Sequence, residues 1–292
     1  AFPNNKDKEL RIFQGEKIKY YSFPKINPNN HKDLANNHHI ANIIEMENPD
    51  IVHIFGTEGA HCLATVNLCK KKNITAIISI QGLISIYAKH YLSNIPSLIQ
   101  NKYTLRDLLK KDNLIQQQKK MVRRGKLEIE GLENVCNVIG RTTWDKACST
   151  IINPDVNYHF CNETLRQEFY RNRWDIDSCE KYSIFISQGQ NPIKGLHFML
   201  EALSIIVKKF PNTVLYIGGE NILKSDTLKS KLKLSSYAKY CESIIKDKDL
   251  YKNIVFTGVL NEKEICNRYL KSNVFVCPSS IENSPNSLGE AM

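Results

Sequence analysis

Apolar positions along this 292-residue chain follow two alternating rhythms. Short continuous runs read as strands: IVHIFG (51–56), ITAIISI (74–80), NVCNVIG (134–140) and NYHFC (157–161), then YSIFIS (182–187), TVLYIGG (213–219), IVFTG (254–258) and VFVCPSS (274–280). Unbroken β-rich runs such as ITAIISI are the mark of strands buried on both faces of a parallel sheet. Between them lie helical stretches: 31–47, ended by Pro49-Asp50; 58–71; a long basic region from 89; and a short one around 144–151. From Leu196, apolar residues recur at i, i+3, i+4 and i+7 through Phe210, closed by Lys208-Lys209 and Pro211, which predicts an amphipathic helix. Asn261 with Glu264 three residues on forms a capping box for a helix through Tyr269.

Strand and helix alternating in this way, with right-handed crossovers, predict an α/β protein of two Rossmann-like doubly wound domains facing across a cleft. The polar aromatic stretch NRWDIDSCEK (172–181) is the expected linker, giving domains of residues 1–172 and 173–292. In such sheets ligands bind beyond the carboxyl ends of the strands.

Composition removes several classes. The hydrophobic fraction of 42% and charged fraction of 24% are those of an ordinary globular chain, not a disordered one. No window approaches the ~18 apolar residues of a membrane span, and AFPNNKDKEL at the start has neither an initiator Met nor a signal-peptide core. Nine scattered cysteines without a C-x-x-C pair point to a reducing cytosol rather than disulfides or zinc, and the eight histidines show no ligand spacing, so no metal is expected.

Charge is uneven. Of the net +10, the segment 89–126 carries +8, from ten Lys and Arg against Asp107 and Asp112. Leu105, Leu108 and Leu109 lie among these cations, so an anionic membrane surface and a solvated helix face are the two readings; signatures of nucleic-acid binding are missing, and no nucleic-acid partner is expected.

Chemistry concentrates in three strand ends of the second half: Gly189 to Lys194-Gly195, Gly218-Gly219, and Glu282 to Glu290 within PSSIENSPNSLGEAM. Pro285, Asn286 and Ser287 read as a helix's first turn, whose free amides suit a phosphate. A carboxylate beside a diphosphate would be repelled, so Glu282 and Glu290 should meet hydroxyls while Lys194 neutralises phosphate. Asp175-Ile176-Asp177 matches a metal-binding D-x-D but lies in the linker, and no GxxxxGKS-type loop is present.

Taken together, SIFISQGQNPIKG, IVFTG and VFVCPSSIENSPNSLGEAM resemble the donor domain of glycosyltransferase family 4, the group 1 glycosyl transferases of GT-B fold. PDIVHIFG, VIGRT and CNETLRQEF resemble segments of its first domain, so the likeness covers most of the chain. It implies a retaining hexosyltransferase moving sugar from a nucleotide-diphosphate donor to a glycan or polyprenyl-linked acceptor. Capsule, exopolysaccharide or lipopolysaccharide synthesis is the implied setting, in the cytoplasm or at the inner face of the membrane. No cofactor or metal is implied. By position, Lys194 and Glu282 would be catalytic, Lys194 on the diphosphate and Glu282 on the sugar hydroxyls. Glu290 would take the ribose, Asn286 and Ser287 the distal phosphate, Val259 and Leu260 the base, with Gly189 and Gly219 beside the donor.

Two positions depart from the family pattern. The Arg that usually joins the Lys is replaced around Gln188 to Gln190, and the usual His of the first domain is Gln81. Arg141 and Arg124 are the candidates to meet phosphate instead, and Gln81 and His90, with these two, make up the expected acceptor side. The family's first strand and its last elements have no counterpart in these 292 residues. A nucleotide-sugar epimerase of the same architecture is the enzymatic alternative, and a non-catalytic basic protein binding lipid or nucleic acid is the alternative outside enzymes.

Overall fold

The structure, a computed structural model, describes residues 1–223, 227 and 232–292. In chain order the elements are β1 (Phe2–Asn4), β2 (Arg11–Gln14), β3 (Lys19–Pro24), α1 (His31–Asn36), α2 (His38–Glu47), β4 (Ile51–Phe55), α3 (Ala60–Lys72) and β5 (Thr75–Ser79). Next come α4 (Ile84–His90), α5 (Ser97–Gln100), α6 (Leu105–Lys110), α7 (Leu114–Glu133), β6 (Asn137–Gly140), α8 (Thr143–Ile152) and β7 (Asn157–Phe160). The remainder is β8 (Glu180–Ile186), α9 (Leu196–Lys209), β9 (Val214–Gly218), α10 (Ser236–Asp247), β10 (Ile254–Gly258), α11 (Glu262–Lys271), β11 (Ser272–Phe275) and α12 (Asn286–Ala291).

Packing divides the chain into two compact units, residues 1–88 with 120–163 and residues 89–119 with 164–292. Reading in chain order gives one boundary at 172/173; the packing has three, because 89–119 is bonded into the later unit. His197 Nε2 bonds the Ser93 carbonyl at 3.0 Å, the Ser236 amide donates to Asp107 at 2.9 Å, and the Ser280 hydroxyl donates to the His90 carbonyl at 3.2 Å.

The first unit is built on a parallel four-stranded sheet in the order β4-β5-β6-β7, plus a small mixed sheet, β1-β3-β2. The small sheet has no counterpart in the sequence reading, because its strands are three to six residues long and one of them, β2, is exposed throughout. The expected helix 31–47 is two helices. Asn37 leaves helical geometry (ψ 117°), and its side chain accepts the Ile40 amide, so it ends α1 and caps α2. Asn73, left-handed at φ 55°, closes α3, and Thr142 with Asp145 forms a capping box at α8. One apolar cluster gathers Phe23, Leu34, Ile40, Ile44, Leu63 and Leu68, another Ile54, Ile78, Ile80, Leu132 and Val138.

The second unit has a parallel sheet in the order β10-β9-β8-β11. The chain winds outward from β8 through β9 to β10, then returns to the far side of β8 to lay down β11. The order of winding reverses between β8 and β11, which makes that edge the switch point where doubly wound sheets bind ligands. Phe185, Leu196, Leu200, Leu203, Leu215 and Ile217 form its fully buried core. The capping box of Asn261 and Glu264 is present as expected, whereas β11 stops at Phe275 and the residues beyond it form a loop. Among the described residues no helix is long and apolar enough to cross a membrane.

Candidate active site

Two loops leave the second unit's sheet on either side of the switch point. After β8, residues 187–195 carry a single 3-10 turn, Pro192–Lys194, capped by Asn191, whose side chain accepts the Ile193 amide at 3.3 Å. After β11, residues 276–285 run to the start of α12. Backbone bonds sew the loops together: the Val276 amide donates to the Phe185 carbonyl and the Ser280 amide to the Ile193 carbonyl, both at 2.9 Å. This closure needs glycine at 195, where φ is +71° and a Cβ would stand 2.0 Å from the Pro278 carbonyl oxygen.

Closure makes an ion pair of two residues 88 positions apart. Lys194 Nζ lies 2.5 Å from Glu282 Oε1, and the Ser279 hydroxyl donates to the same oxygen at 2.7 Å. Both side chains are only partly exposed, so cation and carboxylate are presented together at the rim of the sheet.

Glu290, within α12, is held from the same unit by Arg166, whose Nε and Nη2 both donate to Glu290 Oε1, at 3.1 and 2.7 Å. The guanidinium lies 4.8 Å over the Phe169 ring, and Phe169 meets Tyr269 edge-on. The Tyr269 hydroxyl donates to the Ser287 carbonyl at 3.1 Å. Burial first, then the Glu290 carboxylate, push the Tyr269 phenol well above its ordinary pKa, so it remains a donor. Asn286 and Ser287 open α12 as expected, with Pro285 at its cap.

Beyond β9 and β10, the Gly219 amide donates to the Gly258 carbonyl at 3.0 Å. Gly219, Val259 and Leu260 line a cavity of about 270 Å³ with Ser187, Gln188, Gln190, Gly218 and Ile265. That is a little below the ~300 Å³ at which ligand pockets commonly begin, so it has room for a fragment of a ligand rather than a whole one. Lys194, Glu282 and Glu290 are not among its lining residues. Gly189 packs beside it, where a Cβ would come within 2.9 Å of Ile217 Cγ2.

The residues expected on the acceptor side do not gather at one place. Gln81, just after β5, and Arg141, just after β6, meet at Glu163: Gln81 Nε2 donates to Glu163 at 2.6 Å, and Arg141 Nη1 lies 3.0 Å from its other oxygen. Three strand ends of the first unit thus converge on one buried cation. Arg124 Nε donates to the Glu58 carbonyl at 2.7 Å, elsewhere in that unit, and His90 belongs to the second. Asp175 and Asp177 share a turn, the Asp177 amide bonding Asp175 Oδ1 at 2.9 Å, and among the described residues no three His, Cys, Asp or Glu side chains cluster as metal ligands.

Arg166, Glu163 and Ser279 are site residues that sequence reasoning missed. Arg166 lies inside CNETLRQEF, which the sequence marks, but nothing along the chain indicates its pairing with Glu290, 124 positions away.

Residues 166–292 match the family described as Glycosyl transferases group 1. That stretch is similar to the group 1 glycosyl transferases. Within the matched stretch lie the Lys194–Glu282 pair, the Arg166–Glu290 pair and the cavity at Val259. No curated protein sequence matches the chain significantly. Among solved structures, sucrose-phosphate synthase from Thermosynechococcus elongatus is similar over 98% of this chain and 66% of its own, at 13% identity and a TM-score of 0.59. Anabaena HepE, solved with UDP and glucose, is similar over 92% of this chain and 64% of its own, at 11% identity and a TM-score of 0.58. The pneumococcal O-GlcNAc transferase GtfA, with UDP and GlcNAc, covers 99% and 46%, at 12% identity and a TM-score of 0.52. The chain thus spans under two thirds of each of these relatives, and its fold is GT-B.

Proposed function

We propose that this chain is a retaining hexosyltransferase, moving sugar from a nucleotide-diphosphate donor to a glycan or polyprenyl-linked acceptor at the inner face of a cell membrane. Synthesis of a capsule, exopolysaccharide or lipopolysaccharide is the proposed setting. The observation that carries the reading is the Lys194–Glu282 pair at 2.5 Å, astride the switch point of the sheet within the matched stretch. In this reading the departing diphosphate gathers negative charge as the anomeric carbon becomes oxocarbenium-like, and Lys194 meets that charge. Glu282, whose Oε1 already holds Lys194 and Ser279, meets sugar hydroxyls through its second oxygen. Glu290, oriented by Arg166, takes the ribose hydroxyls, the Asn286 and Ser287 amides the distal phosphate, and Val259 and Leu260 the base.

A metal is not needed in this scheme, since Lys194 and amide donors supply the neutralisation; donor turnover unchanged by EDTA is the expected result. The test of the reading is thermal stabilisation by UDP, GDP and ADP. At 100 times its dissociation constant a ligand adds about 2.7 kcal/mol, roughly a 5–10 °C rise for a chain of this size. One nucleotide should give that shift and Glu290→Gln should lose it. No shift with any of the three would overturn the donor site and favour a non-catalytic basic protein; a C-epimer of the donor as product would favour the epimerase.

A further inference from the structure

Between Pro96 and Lys111, the second unit turns apolar side chains outward on a frame that holds them there. Thr104 and Asp107 form a capping box at the start of α6, and Asp107 is fully buried. Its carboxylate accepts the Ser236 amide at 2.9 Å, the Thr104 amide at 3.3 Å and Arg106 Nη1 at 2.9 Å, which pins α6 to the beginning of α10. With Asp107 facing inward, Leu105, Leu108 and Leu109, spaced i, i+3 and i+4, share the outward side. Leu109 is 78% exposed and Leu108 59%; Leu98 in α5 and Tyr103 are exposed as well. Five large apolar side chains exposed within a dozen residues are more than the single scattered ones a surface ordinarily carries.

Charge over the same residues has one sign. Lys102, Lys110 and Lys111 are exposed, while Asp107, the sole acid from 96 to 111, is buried. Lys120, Arg123, Arg124 and Lys126 lie in the first unit, so the cations that run together in sequence belong to two bodies and only one carries this leucine face.

We propose that Leu98, Tyr103, Leu105, Leu108 and Leu109, with Lys102, Lys110 and Lys111, seat the second unit on an anionic lipid bilayer. The leucines enter the boundary between headgroups and acyl chains and the lysines stay at the phosphates, the division of labour of an interfacial amphipathic segment. Each lysine at such a surface is worth about fivefold in affinity, so three together are worth on the order of a hundredfold.

The test is co-sedimentation of the 292-residue chain with vesicles of phosphatidylcholine alone and of phosphatidylcholine with phosphatidylglycerol. Binding is expected to the anionic vesicles and to weaken with salt. Lys102→Glu/Lys110→Glu/Lys111→Glu should lose on the order of a hundredfold in affinity, and Leu108→Ser/Leu109→Ser at least about tenfold. A charge-matched control, Lys208→Glu/Lys209→Glu/Lys252→Glu, should stay within about threefold of the parent. Any of three results overturns the proposal: no binding to anionic vesicles, an equal loss in the control, or a dimer of the parent that Leu108→Ser/Leu109→Ser disperses. Nucleotide stabilisation measured on the same proteins without vesicles keeps the donor site separate: a missing nucleotide shift with intact vesicle binding defeats only the enzymatic reading.

Discussion

Gly195 is where one residue decides whether the site forms. Its positive φ and the Pro278 carbonyl 2.0 Å from any Cβ act together, so Gly195→Ala adds backbone strain of about 1–3 kcal/mol and also forces the two loops apart. We expect a Tm lowered by a few degrees and loss of the nucleotide shift; an unchanged shift would show that loop closure is not required for donor binding. Lys194 makes the complementary case, because its removal costs charge rather than shape. Lys194→Ala should reduce donor turnover by about 10²–10³-fold with little change in Tm, read from nucleotide release, and near-normal turnover would remove Lys194 from the chemistry. Lys194, Gly195 and Glu282 were legible because glycine and proline punctuate their loops and place them at strand ends. Arg166 and Glu163 were not, since an ion pair closed over 124 positions, like Arg166–Glu290, leaves no periodic trace.

At the level of elements, the inner strands β5, β8 and β9 and helix α9 were legible because a buried strand must be an unbroken apolar run and a helix on a sheet must repeat at 3.6. What escaped was set by polar atoms inside. Glu128 reads in sequence as one more charge on the long basic helix, yet it is fully buried and bonds the Ile84 and Ser85 amides, both at 2.9 Å, and the Ser85 hydroxyl at 2.6 Å, as well as the Thr57 hydroxyl. It is the cap of α4, supplied from α7. Glu128→Ala leaves the Ile84 and Ser85 amides without their acceptor, while the Thr57 hydroxyl keeps the Gly82 carbonyl, and should cost about 2–4 kcal/mol, a Tm drop of roughly 5–15 °C. Glu128→Gln, which keeps an acceptor, should recover part of it. Equal Tm for wild type and Glu128→Ala would mean that water replaces the carboxylate. The break at Asn37 follows the same logic: a side chain that accepts the Ile40 amide outcompetes the helix that the apolar spacing alone would continue.

For the whole molecule, the outcome that chain order could not indicate is the transfer of residues 89–119 to the later unit. His197 is central to that docking. From α9 it bonds the Ser93 carbonyl at 3.0 Å through one nitrogen and the Tyr237 hydroxyl of α10 at 3.1 Å through the other, with the Tyr240 and Phe198 rings close by. Burial holds its pKa below the ordinary 6.5, against a smaller opposing effect of the Ser93 carbonyl. The unfolded chain therefore binds a proton more readily than the folded one. The stability His197 contributes is complete above about pH 6.5 and is lost as pH falls below it. His39 and His61, also lowered by burial, pull in the same direction, so the wild-type curve alone does not isolate His197. The comparison is wild type against His197→Gln, which keeps hydrogen-bonding capacity without titrating. Between pH 7.5 and 5.5 the wild-type Tm should fall further than that of the variant, and proteolytic cleavage within 89–119 should rise with it. Parallel Tm curves for the two proteins would show that His197 has the same pKa folded and unfolded, and that the docking of 89–119 does not depend on its protonation.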